Sequence, residues 1–592
     1  MSKSKYSQVV IIGAGFSGLS MACQLQDKLK QFDYTIYERS KEVGGTWSAN
    51  KYPGCAVDIP AALYSLSFAP HPGFSKLCPS QAEVLAYFHE VARRYRVLEH
   101  VVCQTEWEGA RWDEARQTWT VRVRDLADGT VFQHECKILI SAVGALVNPN
   151  SFDLSGVDSF RGEIVHTARW REGLSLRGKN VVVVGNGASA AQVIPAVIHE
   201  TKSITQFIRV SPLPFVLGTD TRHPPEGKPT EGQTQDGREQ GRCAVRSPND
   251  DAQTPQYYVP NDNWDISGFW RAVFRWIPGL LLLFRCLIFI YLETAMAMIG
   301  LGEQGSRSRV VAASRSKAYM TGSAPEKYWR LLVPEYEIGC KVCSLAPSVR
   351  PSNSLAKRLI RLKRRVFDKA KYIPCLQDDR LHLTDDPIVA VGESGVMTRS
   401  GRSYAADVIV LATGFSLTHW NVDVRGRAGR SRDEHWREFG YIEAFQSIAM
   451  HDFPNFFYIL GPNCGRAHTS TLFAIESYTH LILRVVRPVL EGRCSAVEVK
   501  RDSERRYNEQ LHAAIDKTVF TDSCGSYFND HHSGRNWFIY PWSSFQMWFS
   551  THWASLDDWS YDSCLRPEKS LLDRCKSRVD SSVRQGVCHD YC

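Results

Sequence analysis

The 592-residue chain is short of several things that would assign it to a simple class. Its longest apolar stretch, Trp276 to Gly300, is interrupted by Arg285 and Glu293. A spanning helix needs about 20 mainly apolar residues, and charge at mid-bilayer is costly, so burial against the protein or monotopic contact is expected over a true span. The N-terminal MSKSKYSQ lacks the apolar run of a secretory signal. The seventeen cysteines are scattered and form no disulfide framework, so an intracellular, largely reduced protein is expected. One CxxC, Cys340 and Cys343, has no second pair or histidine pair, which is half a tetrahedral zinc shell, so no metal site is expected. No dense Lys/Arg block accompanies the net charge of +8, which disfavours nucleic acid and suits anionic cofactors. With 43% hydrophobic residues the chain can bury two or three domain cores.

What is present is a dinucleotide loop, met twice. In VVIIGAGFSGLSMACQL a β-branched strand runs into Gly13, Gly15 and Gly18 and then into a helix of apolar periodicity. The three glycines serve a tight turn, room for a pyrophosphate over the helix N-terminus, and close helix–strand packing. The next strand, YTIYERS, ends at Glu38, where an acid would grip a ribose 2′-hydroxyl. In GKNVVVVGNGASAAQVIPAV, a strand at Val181 to Val184 leads to Gly185, Gly187, Ser189 and Ala190, with alanine at the packing position. After ITQFIRVSP the acid is replaced by Arg209, a cation suited to a 2′-phosphate, which argues for NADP; a surface arginine is the alternative. Two such sites imply a bound redox dinucleotide and an exchangeable reductant. The fold class expected is α/β, two Rossmann-like dinucleotide-binding domains with a helical insertion.

Further along, DVIVLATGFS (Asp407 to Ser416, with Thr413 and Gly414) reads as a buried strand returning to the first domain beside its cofactor. A Gly-Pro-Asn turn at Gly461 to Asn463 precedes a helix expected from Thr469. The region Asn261 to Pro334 has long helical periodicity and is expected to cover the active site. Its aromatics Trp264, Phe269, Trp270, Phe274 and Trp276 read either as core or as the wall of an apolar pocket. Ser495 to Thr518 looks helical, WFIYP looks strand-like, and the polar tail 566–592 is expected to be disordered.

Between the two loops lies FRGEIVHTARW, with Phe160, Gly162, His166 and Trp170, and upstream are Gly44, Gly45, Thr46, Trp47, Tyr52, Pro53, Gly54 and Asp58 in a GGxW…YPGxxxD pattern. With both glycine loops, ATG and GPN, these motifs make the chain resemble the class B flavoprotein monooxygenases, and specifically the Baeyer–Villiger type, over most of its length up to about Trp548. Only Arg171 departs from the first signature, where Pro or Asp follows the Trp. The resemblance implies FAD on Gly13, Gly15, Gly18, Glu38, Gly45, Thr46, Trp47 and Asp58, and NADPH on Gly185, Gly187, Ser189, Ala190 and Arg209, with Thr413 and Gly414 also at the cofactors. It implies oxygen and a hydrophobic ketone as co-substrates, and an ester or lactone formed through a flavin peroxide. Trp170 favours ketone oxidation over N- or S-oxygenation, the nearest alternative. His166 reads as a packing histidine or, by the resemblance, as a link between domain movement and NADPH placement.

The family's catalytic arginine follows a lysine in a GCKR-like segment. Here GCK at Gly339 to Lys341 is followed by Val342, and the order resumes only at LKRRVFD. Lys363 and Arg364 are therefore the expected NADP-contacting lysine and catalytic arginine, with Arg365 as an off-by-one alternative and Asp58 orienting the arginine. Removing 342–363 restores the familiar order, and removing the polar stretch 213–255 joins RVSP to QYYVP. Both segments are read as translated introns, with surface loops as the alternative; because the GCKR-like segment is interrupted, a catalytically silent flavoprotein is a further possibility. The expected organisation is a flavin domain in 1–145 and 401–565, an NADP domain in 146–260 and 336–400, and a helical substrate or lid region in 261–335. Cytoplasmic placement is expected, with peripheral membrane contact open and an obligate protein partner not expected.

Overall fold

The computed structural model describes residues 5–144, 146, 148–208, 263, 265–277, 279–294, 296, 300–332, 372–416, 422–466, 469–521 and 535–563. Its first sheet runs, from edge to edge, Asp423–Arg425, Thr105–Asp113, Thr118–Asp125, Val131–Ser141, Lys5–Ile12, Tyr34–Tyr37 and Val101–Val102. Phe456–Tyr458 also pairs in parallel with the end of Val131–Ser141, from Leu139 to Ser141. Val9, Val10 and Ile11 are completely buried because helices or loops cover both faces of a parallel strand, which is why this strand reads as an unbroken apolar run. The helix Phe16–Leu29 packs on Thr471–Leu490, so the residues after 422 complete the domain begun at the N-terminus.

A second sheet, wholly parallel, runs Leu381–Thr384, Ser203–Phe207, Asn180–Val184, Val408–Leu411 and Glu163–His166. Both sheets follow the α/β dinucleotide-binding plan, in which a glycine loop joins a central strand to a helix. The strand in DVIVLATGFS corrects the sequence expectation. It lies between Asn180–Val184 and Glu163–His166 in the second sheet, not in the first domain, and the expected boundary at 401 therefore precedes a strand of the second sheet. The chain recrosses just afterwards, where Phe415–Ser416 pairs antiparallel with Asn148–Pro149. An apolar four-residue strand carries no mark of which sheet it will join; only its hydrogen-bonding neighbours decide.

The helical region contains Gly268–Trp276, Leu280–Glu293 and Glu303–Ser323. Among the described residues no single helix is long and apolar enough to cross a membrane; the first two pass such a test only as a pair, and they are bent by 108°. The two charges in the apolar stretch turn inward. Arg285 donates to the carbonyl and hydroxyl of Ser65 at 3.1 and 2.7 Å. Glu293 accepts from Ser544 N at 2.9 Å and meets Arg466, whose side chain is fully buried, at 3.3 Å. Phe269, Trp270 and Trp276 are 70%, 49% and 78% exposed, so they are not core as the sequence allowed, while Phe274 is half-buried and stacks on Phe284. Trp264 lies outside the described residues. Ser495 to Thr518 divides into a strand, Ala496–Val499, and a helix, Arg501–Ile515. WFIYP forms no strand beyond a bridge of Ile539 to Gly465; the strand that pairs with Ala496–Val499 is Trp559–Asp562.

Candidate active site

The first glycine loop is closed by backbone geometry. Gly13 has φ +106°, its N–H donates to Tyr37 O at 2.7 Å, and a Cβ there would stand 2.6 Å from Ala142 O. A Cβ on Gly18 would stand 2.1 Å from Gly13 O, which makes this the close-packing glycine. Gly15 caps Phe16–Leu29 with no side-chain acceptor, leaving the first-turn N–H groups for an anion. Glu38 ties the loop to the next strand: one carboxylate oxygen accepts from Ala14 N and the other from Ser40 N, both at 2.8 Å.

The GGxW segment interlocks with this loop. Gly44 N donates to Ala14 O at 2.9 Å, and Gly45, at φ +55°, lies so close to Gly15 that a Cβ would come within 2.9 Å of its Cα. Thr46 then opens the one-turn helix Thr46–Ala49. Trp47 is buried edge-on to Tyr64, and its indole N–H donates to the Tyr64 hydroxyl at 3.0 Å. Burial pushes the Tyr64 phenol well above its usual range. Asp58 is half-buried just beyond, in the same segment.

The second loop repeats the construction. Gly185 has φ +121°, and a Cβ on it would stand 2.3 Å from Ala412 O. Gly187 caps Ala188–Val197 without a side-chain partner, and a Cβ on it would meet nothing within 4 Å, so the loop is open to a ligand. Ser189 is half-buried in the first turn, while Ala190 is fully buried at the packing position. Both cradles fit the pyrophosphate of a dinucleotide: an uncapped helix N-terminus under a glycine turn that no side chain fills.

The two cradles meet across a seam that the motifs did not reveal. Tyr52 donates its hydroxyl hydrogen to Gln192 Oε1 at 2.8 Å, and Gln192 Nε2 donates to Ala56 O at 3.1 Å. Gly54 lies against the same helix; a Cβ on it would be 2.4 Å from Gln192 O. The YPGxxxD segment of the flavin domain thus rests on the helix of the second loop. Burial raises the Cys55 thiol to about 11, so it is a neutral thiol in this seam.

The Phe160–Trp170 signature lies along the edge of the second sheet. Phe160 is half-buried in a small apolar cluster, and Gly162 passes so close to Asp407 O that a Cβ would be 2.4 Å away. His166 is paired in register with Leu411. Its Nδ1 accepts from Ala168 N at 3.0 Å, which places the proton on Nε2, and Nε2 donates to Gly414 O at 3.1 Å. Burial, the largest influence, lowers its pKa below the usual value, against the hydrogen bond to Gly414, so the ring is neutral. Trp170 is partly buried against the second core, and Arg171, the departure from the signature, pairs with Glu163 at 3.1 Å. Thr413 Oγ1 is buried without a hydrogen-bond partner beside this linkage.

Arg209, Lys363, Arg364 and Arg365 lie outside the described residues, as do the CxxC pair and both insertions. The sequence reading missed Ala142–Gly144. This segment supports Gly13 as Ala412–Gly414 supports Gly185, and ILISAVG against VIVLATG was the signal. It also missed Gln192, whose position on the loop helix carries no local mark.

The fold and the paired cradles define a protein with two dinucleotide-binding sites. Residues 11–78 match the NAD(P)-binding Rossmann-like domain family. Baeyer–Villiger monooxygenases of Streptomyces coelicolor and Pseudomonas aeruginosa are each 27% identical to the chain, covering 98% of it and 97% and 95% of their own lengths. Cyclohexanone monooxygenase from Rhodococcus sp. Phi1 bound to NADP+ superposes with a TM-score of 0.72 at 21% identity, over 95% of this chain and all of that one. Over nearly its whole length the chain is thus similar to Baeyer–Villiger monooxygenases, and it shares the fold of cyclohexanone monooxygenase.

Proposed function

We propose that the chain oxidises a hydrophobic ketone to an ester or lactone, with the balance ketone + NADPH + O2 + H+ to ester + NADP+ + water. The observation that carries this reading is the seam. Tyr52 and Gln192 clamp the segment following the flavin loop onto the helix of the second loop, so that hydride donor and acceptor can be held in one cleft. FAD, when bound, supplies the oxygen-activating chemistry. The protein's part is to hold the first pyrophosphate over Gly15 and Phe16, to hold the second over Gly187 and Ala188, and to exclude water from the cleft. Neutral His166 fixes Gly414 and transfers no proton to substrate, since both ring nitrogens are engaged by backbone. Arg364 is proposed as the fixed cation near the reacting oxygen, oriented by Asp58, and the lysine that precedes it as the NADP contact, which is Lys363 in this chain and Lys341 in a version lacking 342–363. Arg209 is proposed as the 2′-phosphate contact.

Oxygen uptake and product mass with matched cyclic ketones and thioethers, run on this chain and on a version lacking 213–255 and 342–363, test the reading. An oxygen-inserted lactone is expected. Sulfoxide alone would favour S-oxygenation, and a reducible yellow protein without product in either version would refute oxygenation. The mature transcript is expected to lack both segments; finding them there as coding sequence would refute the intron reading.

The bent helix pair is proposed to rest on a membrane surface. Its two internal charges are satisfied inside, while Trp276, Leu282, Leu283 and Ile290 are more than half exposed, with Arg275 at the end of the first helix suited to anionic headgroups. Sedimentation with anionic vesicles is expected to carry the chain down and to be reduced by Trp276→Ser with Leu283→Ser. Equal sedimentation of that variant would refute the contact.

A further inference from the structure

The second glycine loop is held from beneath by a side chain that belongs to no motif. Gly185 N donates to Phe207 O at 2.9 Å, and Gly185 O accepts from Gln206 Nε2, also at 2.9 Å. The peptide groups on both sides of Gly185 are thereby fastened to the neighbouring strand, Ser203–Phe207. Gln206 is completely buried, and its own carbonyl accepts from the Tyr372 hydroxyl at 2.6 Å. Tyr372 is buried in the same core, at the start of Tyr372–Cys375, and with Ile373 and Leu376 it packs into the apolar cluster beneath the loop helix. A buried glutamine with one donor and one acceptor engaged is oriented in a single sense, because flipping the amide would set its NH2 against the Tyr372 hydroxyl and its oxygen against Gly185 O.

We propose that Gln206, seated by Tyr372, is a positioning residue for the nicotinamide dinucleotide. Drawing the Gly185 carbonyl toward the sheet interior keeps the N–H groups of Gly187, Ala188 and Ser189 directed to the open side, where a pyrophosphate is received. The lever does not touch the flavin loop, so it acts on one dinucleotide and not the other. The proposal rests on the second loop being the NADP site and is independent of whether the oxidised substrate is a ketone.

The test uses full-length, FAD-loaded protein and NADP+ binding followed by the change in flavin absorbance. Gln206→Leu leaves Gly185 O buried without its donor and is expected to weaken NADP+ binding about tenfold. Tyr372→Phe, which removes only the hydroxyl that seats Gln206, is expected to weaken it about threefold. The double variant should bind no worse than Gln206→Leu, because the tyrosine acts through the glutamine. FAD affinity should stay within about twofold, and KM for NADPH should rise while kcat at saturating NADPH holds. Unchanged NADP+ affinity in Gln206→Leu, or multiplication of the two effects in the double variant, would overturn the proposal. Should Gln206→Leu fail to fold, Tyr372→Phe decides alone, and wild-type NADP+ affinity there overturns the proposal. Absence of NADP+ binding by the unsubstituted chain would overturn the assignment of the loop itself, whereas NADP+ binding without oxygenated product would count against the ketone reading and leave this one standing.

Discussion

Replacing Glu38 by glutamine perturbs the flavin loop with almost no change in volume. The carboxylate accepts from two backbone donors, Ala14 N and Ser40 N, at 2.8 Å each, and Glu38 is only 8% exposed. A glutamine has one oxygen for these two N–H groups, so either orientation sets its NH2 against a backbone donor. A charge-assisted hydrogen bond contributes about 1.5–3 kcal/mol, and a buried donor left without its acceptor costs about 1–3 kcal/mol. The loop that receives the pyrophosphate is therefore expected to lose ~1.5–3 kcal/mol of organisation, which corresponds to FAD binding about 10- to 100-fold weaker. Reconstitution of deflavinated protein, followed by quenching of FAD fluorescence, measures this directly. Glu38→Gln should need excess FAD for full yellow colour and should regain activity as FAD is raised. A variant that purifies with stoichiometric FAD and binds it within twofold of the parent would refute the reasoning, because Glu38 would then be neither closing the loop nor touching the ribose.

Gly185→Ala should abolish NADP+ binding while FAD is retained, since a Cβ 2.3 Å from Ala412 O at φ +121° displaces the loop; NADP+ titration of the flavoprotein checks it. Arg466→Met leaves Glu293 buried opposite an apolar side chain and is expected to cost about 3–5 kcal/mol, read as a fall in melting temperature, with Glu293→Leu in the same chain recovering most of it. Glu443 is completely buried, and desolvation, then the charge of Glu504, raises its pKa from 4.5 to about 9. The folded state therefore holds a proton that the unfolded state releases, so this group's contribution is full below pH 4.5 and is lost progressively as pH rises toward 9. Glu443→Gln should flatten the decline in melting temperature between pH 6 and 9; an unchanged slope would remove Glu443 as its cause.

The legible parts of this protein were those in which neighbouring residues carry the constraint. A glycine forced to positive φ or pressed against a carbonyl, as at Gly13, Gly18 and Gly185, leaves a mark within a few positions of itself. The strands and helices around these loops were readable because parallel strands buried on both faces are continuously apolar. The helix after the Gly-Pro-Asn turn was readable too: it was expected from Thr469, and Ser470 caps Thr471–Leu490. Corrections fell where long-range pairing decides. VIVL could join either sheet, and hydrogen bonding to Asn180–Val184 and Glu163–His166 placed it in the second. The apolar helices could be core or surface, and the inward pairing of Arg285 and Glu293 fixed their orientation and left Trp276 outside.

The sequence by itself determined two dinucleotide loops, their order, the flavin-monooxygenase motifs and the interruption of the GCKR-like segment. Only the tertiary structure decided that Tyr52 clamps Gln192 across 140 positions, that His166 holds Gly414 across 248, and that Gln206 braces Gly185 with Tyr372 behind it. The reason is physical: backbone strain and apolar periodicity are local properties written residue by residue. A buried hydrogen bond between distant segments exists only once the sheets have brought its donor and acceptor together.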